Sequence, residues 1–317
     1  MNQLTHPGEL IPGWKKWLIA ARPWALPASA IPVGLGTLLA LSVGRSEFHP
    51  GRFALALLAM VLLHFGANML SDVFDYRRGL DTEVTPVSGA IVRQWLSAEE
   101  VMKGALLLFL LGSTLGIWLA LMSHLGLLLV GLLGVAIGLN YHFLKAHALG
   151  DLAVFLNFGV LGSLGAWVVQ TGNFSVWPAL WAVPQALLVV AILHANNWRD
   201  SVSDQEKRVV TVASLLGDHN SLVYYSFLLL APFFLFLIYI FLPRFCLKEV
   251  PSLPLSLLLV LAALPGAFSL LRRARRRHHP RQPLEFIILD GATSKFNWAF
   301  GLLSLAGLGI DVVRRLF

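Results

Sequence analysis

Two short stretches of this sequence place carboxylates at spacings suited to a hard cation. The first is Asn68-Met69-Leu70-Ser71-Asp72-Val73-Phe74-Asp75, followed by Tyr76-Arg77-Arg78-Gly79-Leu80-Asp81. The second is Asn196-Asn197-Trp198-Arg199-Asp200-Ser201-Val202-Ser203-Asp204. A helix running through the first puts Asn68, Asp72 and Asp75 on one face, at i, i+4 and i+7. A helix through the second does the same for Asn196, Asp200 and Asp204, at i, i+4 and i+8. Carboxylate oxygens are hard ligands, and Mg²⁺ is commonly held by one or two of them together with waters and substrate phosphates. Two such clusters facing each other would take a diphosphate bridged by metal ions rather than repel it. Lys145, Arg199 and Arg22 would complete the neutralisation. Solvated charges at helix ends account adequately for one cluster. They do not explain why both carry an Asn one turn upstream in an apolar stretch, where a polar group needs a partner or a function.

For these residues to act together, the elements that carry them must end at one surface. Hydrophobic residues make up 57% of the 317 and charged residues only 13%, with a mean hydropathy of +0.72. Soluble domains carry about 25% charged residues, so the balance excludes a water-soluble enzyme. Several apolar runs reach the ~20 residues that cross a ~30 Å hydrocarbon core. The expected fold class is an all-α membrane protein of nine transmembrane helices, at about 22–43, 52–74, 101–122, 124–143, 151–171, 177–198, 221–242, 252–271 and 287–313. Residues 1–21 read as a cytoplasmic N-terminal segment without a cleavable signal peptide, and 22–317 as a single domain.

Of the 24 Lys and Arg residues, 18 fall on one side of these spans, leaving Arg45, Arg52, Arg244, Lys248, Arg314 and Arg315 on the other. The side richer in Lys and Arg is cytoplasmic, which puts the N-terminus inside, the C-terminus outside and both Asp motifs at the cytoplasmic face. Ala67-Asn68-x-x-x-Asp72 and Ala195-Asn196-x-x-x-Asp200 lie 128 positions apart. Four spans return the chain to the same side, so the offset reads as a parallel internal repeat. The run from Arg272 to His279 is an orientation anchor beside anionic headgroups, and no nucleic-acid partner is expected. Cys246 is the single cysteine, which excludes an intramolecular disulfide and a Cys-based zinc site. A secondary transporter also has repeats and broken helices, but it would carry charges near the midplane with access to both sides. Here both Asp clusters and nearly all their basic partners share one surface.

These residues also carry a family resemblance. Arg22-Pro23-Trp24-Ala25-Leu26-Pro27, the run from Asp72 to Asp81, Tyr141 to Lys145 with Leu149-Gly150-Asp151, Asn196-Asn197-Trp198-Arg199-Asp200 with Asp204 and Thr211, and Asp290-Gly291-Ala292-Thr293 resemble the signatures of the UbiA superfamily of intramembrane prenyltransferases. The resemblance runs over nearly the whole chain. The Asn-Asn-x-Arg-Asp form looks most like the menaquinone branch, the 1,4-dihydroxy-2-naphthoate prenyltransferases, and His194-Ala195-Asn196-Asn197 with Val210-Thr211-Val212 is similar to its vertebrate type. Ser71 departs from the Asn common before the first Asp, and Arg208-Val209 from a Gly-Lys common before the Thr.

The resemblance implies a bundle around a central cavity in the lipid bilayer and Mg²⁺-dependent transfer of a polyprenyl group from polyprenyl diphosphate to an aromatic quinone precursor. With a naphthoate acceptor, the carboxylate leaves as CO₂; 4-hydroxybenzoate and homogentisate are the alternatives. It also implies Asp72, Asp75, Asp200 and Asp204 as Mg²⁺ ligands, acting in part through water, with Lys145 and Arg199 on the leaving diphosphate. Arg22, Asn68, Ser71, Asp81, Tyr141, Asn196 and Asn197 are the expected substrate-binding groups. The expected location is a bacterial cytoplasmic membrane.

Overall fold

The computed structural model describes residues 12–80, 89–246, 249–276 and 288–316. Asp81 and the basic run beyond Arg276 lie outside the described residues. Described residues are dominated by helices: α1 (Gly13–Ala21), α2 (Pro27–Ser42), α3 (Pro50–Arg77), α4 (Ala98–Met122), α5 (Leu127–Leu139) and α6 (Tyr141–Lys145). They continue with α7 (Gly150–Thr171), α8 (Trp177–Trp181), α9 (Val183–Glu206), α10 (Val212–Phe245), α11 (Leu255–Arg275) and α12 (Leu289–Arg314).

Local sequence explains most boundaries. Proline at the first turns of α2 and α3 forgoes an N–H that has no partner there. Ser97 and Glu100 form a reciprocal capping box that starts α4, and Thr211 with Ser214 does the same for α10. The segment Gly13–Ala25 meets α2 at a 54° bend, and Arg22, just before it, ends α1 in a left-handed conformation at φ 55°. α10 breaks at Gly217, whose φ of 69° and ψ of 177° no helix accommodates. α7 widens into a π-helical stretch over Phe155–Leu161, a form that recurs at functional sites.

Among the described residues, six helices are long and apolar enough to cross a membrane: α3, α4, α7, α10, α11 and α12. The bent pair of α1 and α2 makes a seventh if taken as one span. The expected count of nine exceeds this for two physical reasons. α5 has 13 residues, which at 1.5 Å per residue reach only about 20 Å. α9 gives its last turns to Asn196, Asn197, Arg199, Asp200 and Asp204. Leu106, Leu107, Leu110, Leu111, Leu129 and Leu132 on α4 and α5 are exposed, a continuous apolar face suited to lipid.

The largest buried cluster lies among α2, α7, α9, α10, α11 and α12, centred on Leu188, Trp198, Tyr225, Phe236 and Phe300. A second joins Ala20, Met69, Val73, Ala105 and Phe109, and so fixes the end of α1 and the last turns of α3 against α4. α2 and α7 meet backbone to backbone at Gly36, where an added Cβ would stand 2.1 Å from the Ser163 carbonyl oxygen. Gly36→Leu is expected to destabilise the fold by at least about 1–3 kcal/mol. Thermal unfolding in detergent, compared with Gly51→Ala where no atom lies within 4 Å, checks this.

Candidate active site at one end of the helices

Because α3 stays helical to Arg77 and α9 to Glu206, both motifs keep the one-sided spacing read from the sequence. Tertiary contacts then bring their ends together. The Lys207 ammonium donates to the Leu80 carbonyl, tying the end of α9 to the end of α3. The Ala148 N–H donates to the Val210 carbonyl at 2.7 Å, and the Val210 N–H to Ala146 at 3.2 Å. This backbone bridge holds the loop after α6, and with it Lys145, against the second motif. At the opposite end Arg315 donates to the Ser42 carbonyl and Asp311 accepts from the Ser42 hydroxyl at 2.7 Å, joining α2 to α12 away from the Asp motifs.

In the first motif, Asp72 is buried and ion-paired with Arg22 at the α1–α2 bend. Gly89 presses on the same carboxylate, since a Cβ there would lie 2.2 Å from Asp72 Oδ2. Asn68 donates to the Ala21 carbonyl at 3.2 Å, so its amide fixes α1 on α3. Asp75, also buried, accepts from Lys145 Nζ and from the Ser71 hydroxyl, each at 3.4 Å to Oδ2. Those are long contacts for a charged acceptor.

In the second motif, Arg199 grips Asp200 through two bonds of 2.8 and 2.7 Å. Its remaining arm reaches Asp290 of α12 at 2.7 Å. Asn196 donates to the same Asp290 oxygen at 3.3 Å, and Asn197 is buried beside it. Asp290 belongs to the last-helix signature but is not among the residues expected in the site. An aspartate in the first turn of an apolar span is the signal that marks it. Trp198 donates to Asp218 at 2.8 Å, anchoring α9 to α10.

Asp204 and Lys145 join the two motifs. Burial pushes the Asp204 carboxyl up to about 6; Lys145 opposes this, while Asp200 and Asp75 add to it. Burial alone would lower the Lys145 ammonium, but Asp75, Tyr141 and Asp204 outweigh it and raise its pKa. Lys145 is therefore a fixed cation within the field of carboxylates from both motifs. Half-buried Tyr141 lies within reach of Lys145, Asp75 and Arg22.

Among the described residues, three or more His, Cys, Asp or Glu side chains nowhere converge as a ready-made metal cage. The oxygen-only donors Asp75 and Asp204 still fit Mg²⁺, which dehydrates reluctantly and is completed by waters and phosphate oxygens. A carboxylate binds Mg²⁺ only when ionised, so a metal held by Asp204 would compete with its proton. With its carboxyl near 6, about nine-tenths is protonated at pH 5 and little at pH 7.5, so apparent Mg²⁺ affinity is expected to fall about tenfold between them. A Mg²⁺ titration by calorimetry at the two pH values checks this.

A family model described as the UbiA prenyltransferase family matches residues 29–289. The chain belongs to that family. It is 32% identical over 304 residues to the UbiA prenyltransferase domain-containing protein 1 of Mus musculus, covering 92% of this chain and 83% of the relative. The Drosophila melanogaster homologue is 35% identical over 306 residues, covering 91% and 78%. These relatives are animal proteins and lend no support to the expected bacterial membrane. The fold is similar to that of a UbiA homologue from Archaeoglobus fulgidus bound to DMAPP and Mg²⁺, at a TM-score of 0.62 and 17% identity over 92% of this chain and 99% of that one. An apo UbiA homologue from Aeropyrum pernix matches at 0.61 and 17%, over 95% and 99%. The protein is thus an all-helical, multi-pass membrane prenyltransferase of the UbiA fold.

Proposed function

We propose that this protein transfers a polyprenyl group from polyprenyl diphosphate to 1,4-dihydroxy-2-naphthoate, whose carboxylate leaves as CO₂, in menaquinone biosynthesis. The observation that carries the reaction is Lys145, 3.4 Å from Asp75 of the first motif and within the field of Asp204 of the second. The support for the acceptor is the Asn196-Asn197-x-Arg199-Asp200 form of the second motif, which resembles the menaquinone branch. We further read the chain as nine spans in one domain over 22–317. The N-terminus and the site are then cytoplasmic by the Lys/Arg asymmetry.

Asp75 and Asp204, with Asp72 and Asp200 beside them, would hold Mg²⁺ through oxygen and water. The ion supplies charge neutralisation to the diphosphate when bound. Lys145 is placed to stabilise negative charge that grows on the leaving diphosphate, the kind of fixed electrostatic help that acts mainly in the transition state. Arg199 and Arg22 neutralise Asp200 and Asp72, which keeps the motif ends from repelling an anionic substrate. The Tyr141 ring would shield the allylic cation from water.

Prenyl transfer by the purified protein with Mg²⁺ and a labelled polyprenyl diphosphate tests this, with 1,4-dihydroxy-2-naphthoate, 4-hydroxybenzoate and homogentisate offered separately. The expected result is a prenylated, decarboxylated naphthoquinol, lost with EDTA. Transfer to one of the other rings alone would move the pathway. No transfer to any acceptor by folded protein would sink the reading in favour of transport.

A further inference from the structure

A buried polar cluster lies one layer beneath Lys145, where α7 begins and α9 passes. Asp151, the second residue of α7, is 6% exposed, and His194 on α9 is fully buried. Asp151 Oδ2 stands 3.8 Å from His194 Nδ1. The Tyr224 ring meets the His194 ring edge-on, with centroids 4.8 Å apart. The Tyr224 hydroxyl approaches the Asp151 carboxylate and the Ser221 backbone approaches the His194 ring, so the pair is held from α10. An ionisable pair buried inside a span marks function by default.

The cluster adjoins the site. Gly150 packs so closely on α6 that an added Cβ would lie 3.3 Å from Lys145 Cα. Tyr141 is within electrostatic reach of Asp151 as well as of Asp75 and Lys145. The other carboxylates are committed: Asp72 to Arg22, Asp75 to Lys145, and Asp200 and Asp290 to Arg199. Asp204 faces Lys145 from the second motif. Asp151 is the carboxylate beside the site that no Lys or Arg neutralises among the described residues, and so the one suited to accept a proton.

Resting on the aromatic-prenylation reading above, we propose that Asp151, positioned by His194, takes the hydroxyl proton of the acceptor ring as the ring attacks. The O–H bond breaks and its electron pair raises the nucleophilicity of the ring carbon that bears the carboxylate. That carbon bonds to the allylic carbon, whose C–O bond breaks with the electron pair leaving on the diphosphate. Loss of CO₂ returns an electron pair to the ring, and the proton returns from Asp151 to the ring oxygen. Atoms and charge balance without a further reactant. The His194 imidazole, 3.8 Å from the carboxylate, orients Asp151 and offers a polar neighbour in an otherwise apolar layer.

Asp151→Asn is the test, with His194→Gln beside it. Three readings are compared with wild type: transfer to the hydroxylated acceptor, transfer to a ring-fluorinated acceptor whose hydroxyl ionises unaided, and Mg²⁺-dependent binding of a non-ionising prenyl thiolodiphosphate. Asp151→Asn is expected to lower kcat about 10²–10⁴-fold, the usual range for a lost general base. Thiolodiphosphate binding should persist, and the gap to wild type should narrow with the fluorinated acceptor. His194→Gln should show the same pattern more weakly. Undiminished transfer, a loss that the acidic acceptor does not narrow, or parallel loss of thiolodiphosphate binding in both variants would overturn the proposal. A wild-type protein that prenylates no aromatic ring would instead defeat the underlying reading.

Discussion

Asp75→Ala is expected to lower prenyl transfer by about 10²–10³-fold, the scale seen when one preorganised charge-stabilising group is removed. Asp75 is buried, and the two contacts its Oδ2 makes, from Lys145 and Ser71, are both 3.4 Å. A carboxylate so loosely held is poised to exchange those contacts for a metal ion. Asp72 differs, because Arg22 and the Gly89 backbone already crowd it. Its contribution passes partly through holding the α1–α2 bend. The rate should therefore be measured across a Mg²⁺ titration with intact fold confirmed by thermal unfolding. A normal rate in Asp75→Ala would remove the first motif from the chemistry. A loss recovered by raising Mg²⁺ would place Asp75 in metal affinity rather than turnover.

Lys145→Met carries the second large effect, a fall of about 10²-fold or more in kcat/KM for the prenyl diphosphate. The substitution keeps the apolar stem and removes a cation that both Asp75 and Asp204 feel. Uncompensated carboxylates then face an anionic substrate. Lys145→Arg keeps the charge but spreads it over a planar fork, so partial activity is expected. Steady-state rates with prenyl diphosphate varied at fixed Mg²⁺ read this directly. If Lys145→Met transfers as wild type does, the junction between the motifs does not stabilise the leaving group.

Much of the site was legible before the fold was seen because helical periodicity is local. Asn68, Asp72 and Asp75 share a face since α3 continues unbroken through them, and the same holds for α9. Low charge content made each carboxylate informative in a chain so apolar. Partner choice was not legible. Arg199 reads from sequence as a ligand for diphosphate, yet it is occupied by Asp200 and by Asp290, 91 residues away. The Asp151–His194 contact was likewise hidden, because neither residue lies within a helical turn of the other.

The sequence by itself determined the membrane class, the family and the two motif faces, since apolar composition and i, i+4 spacing act within single elements. Only the tertiary structure decided which cation meets which carboxylate. Those pairings depend on loop contacts such as the backbone bridge between Ala148 and Val210 and on the bend at Arg22. It also decided how far the helices reach, shortening α5 to 13 residues and breaking α10 at Gly217. Pairing across the fold is set by where helix ends converge, and no window along the chain contains that information.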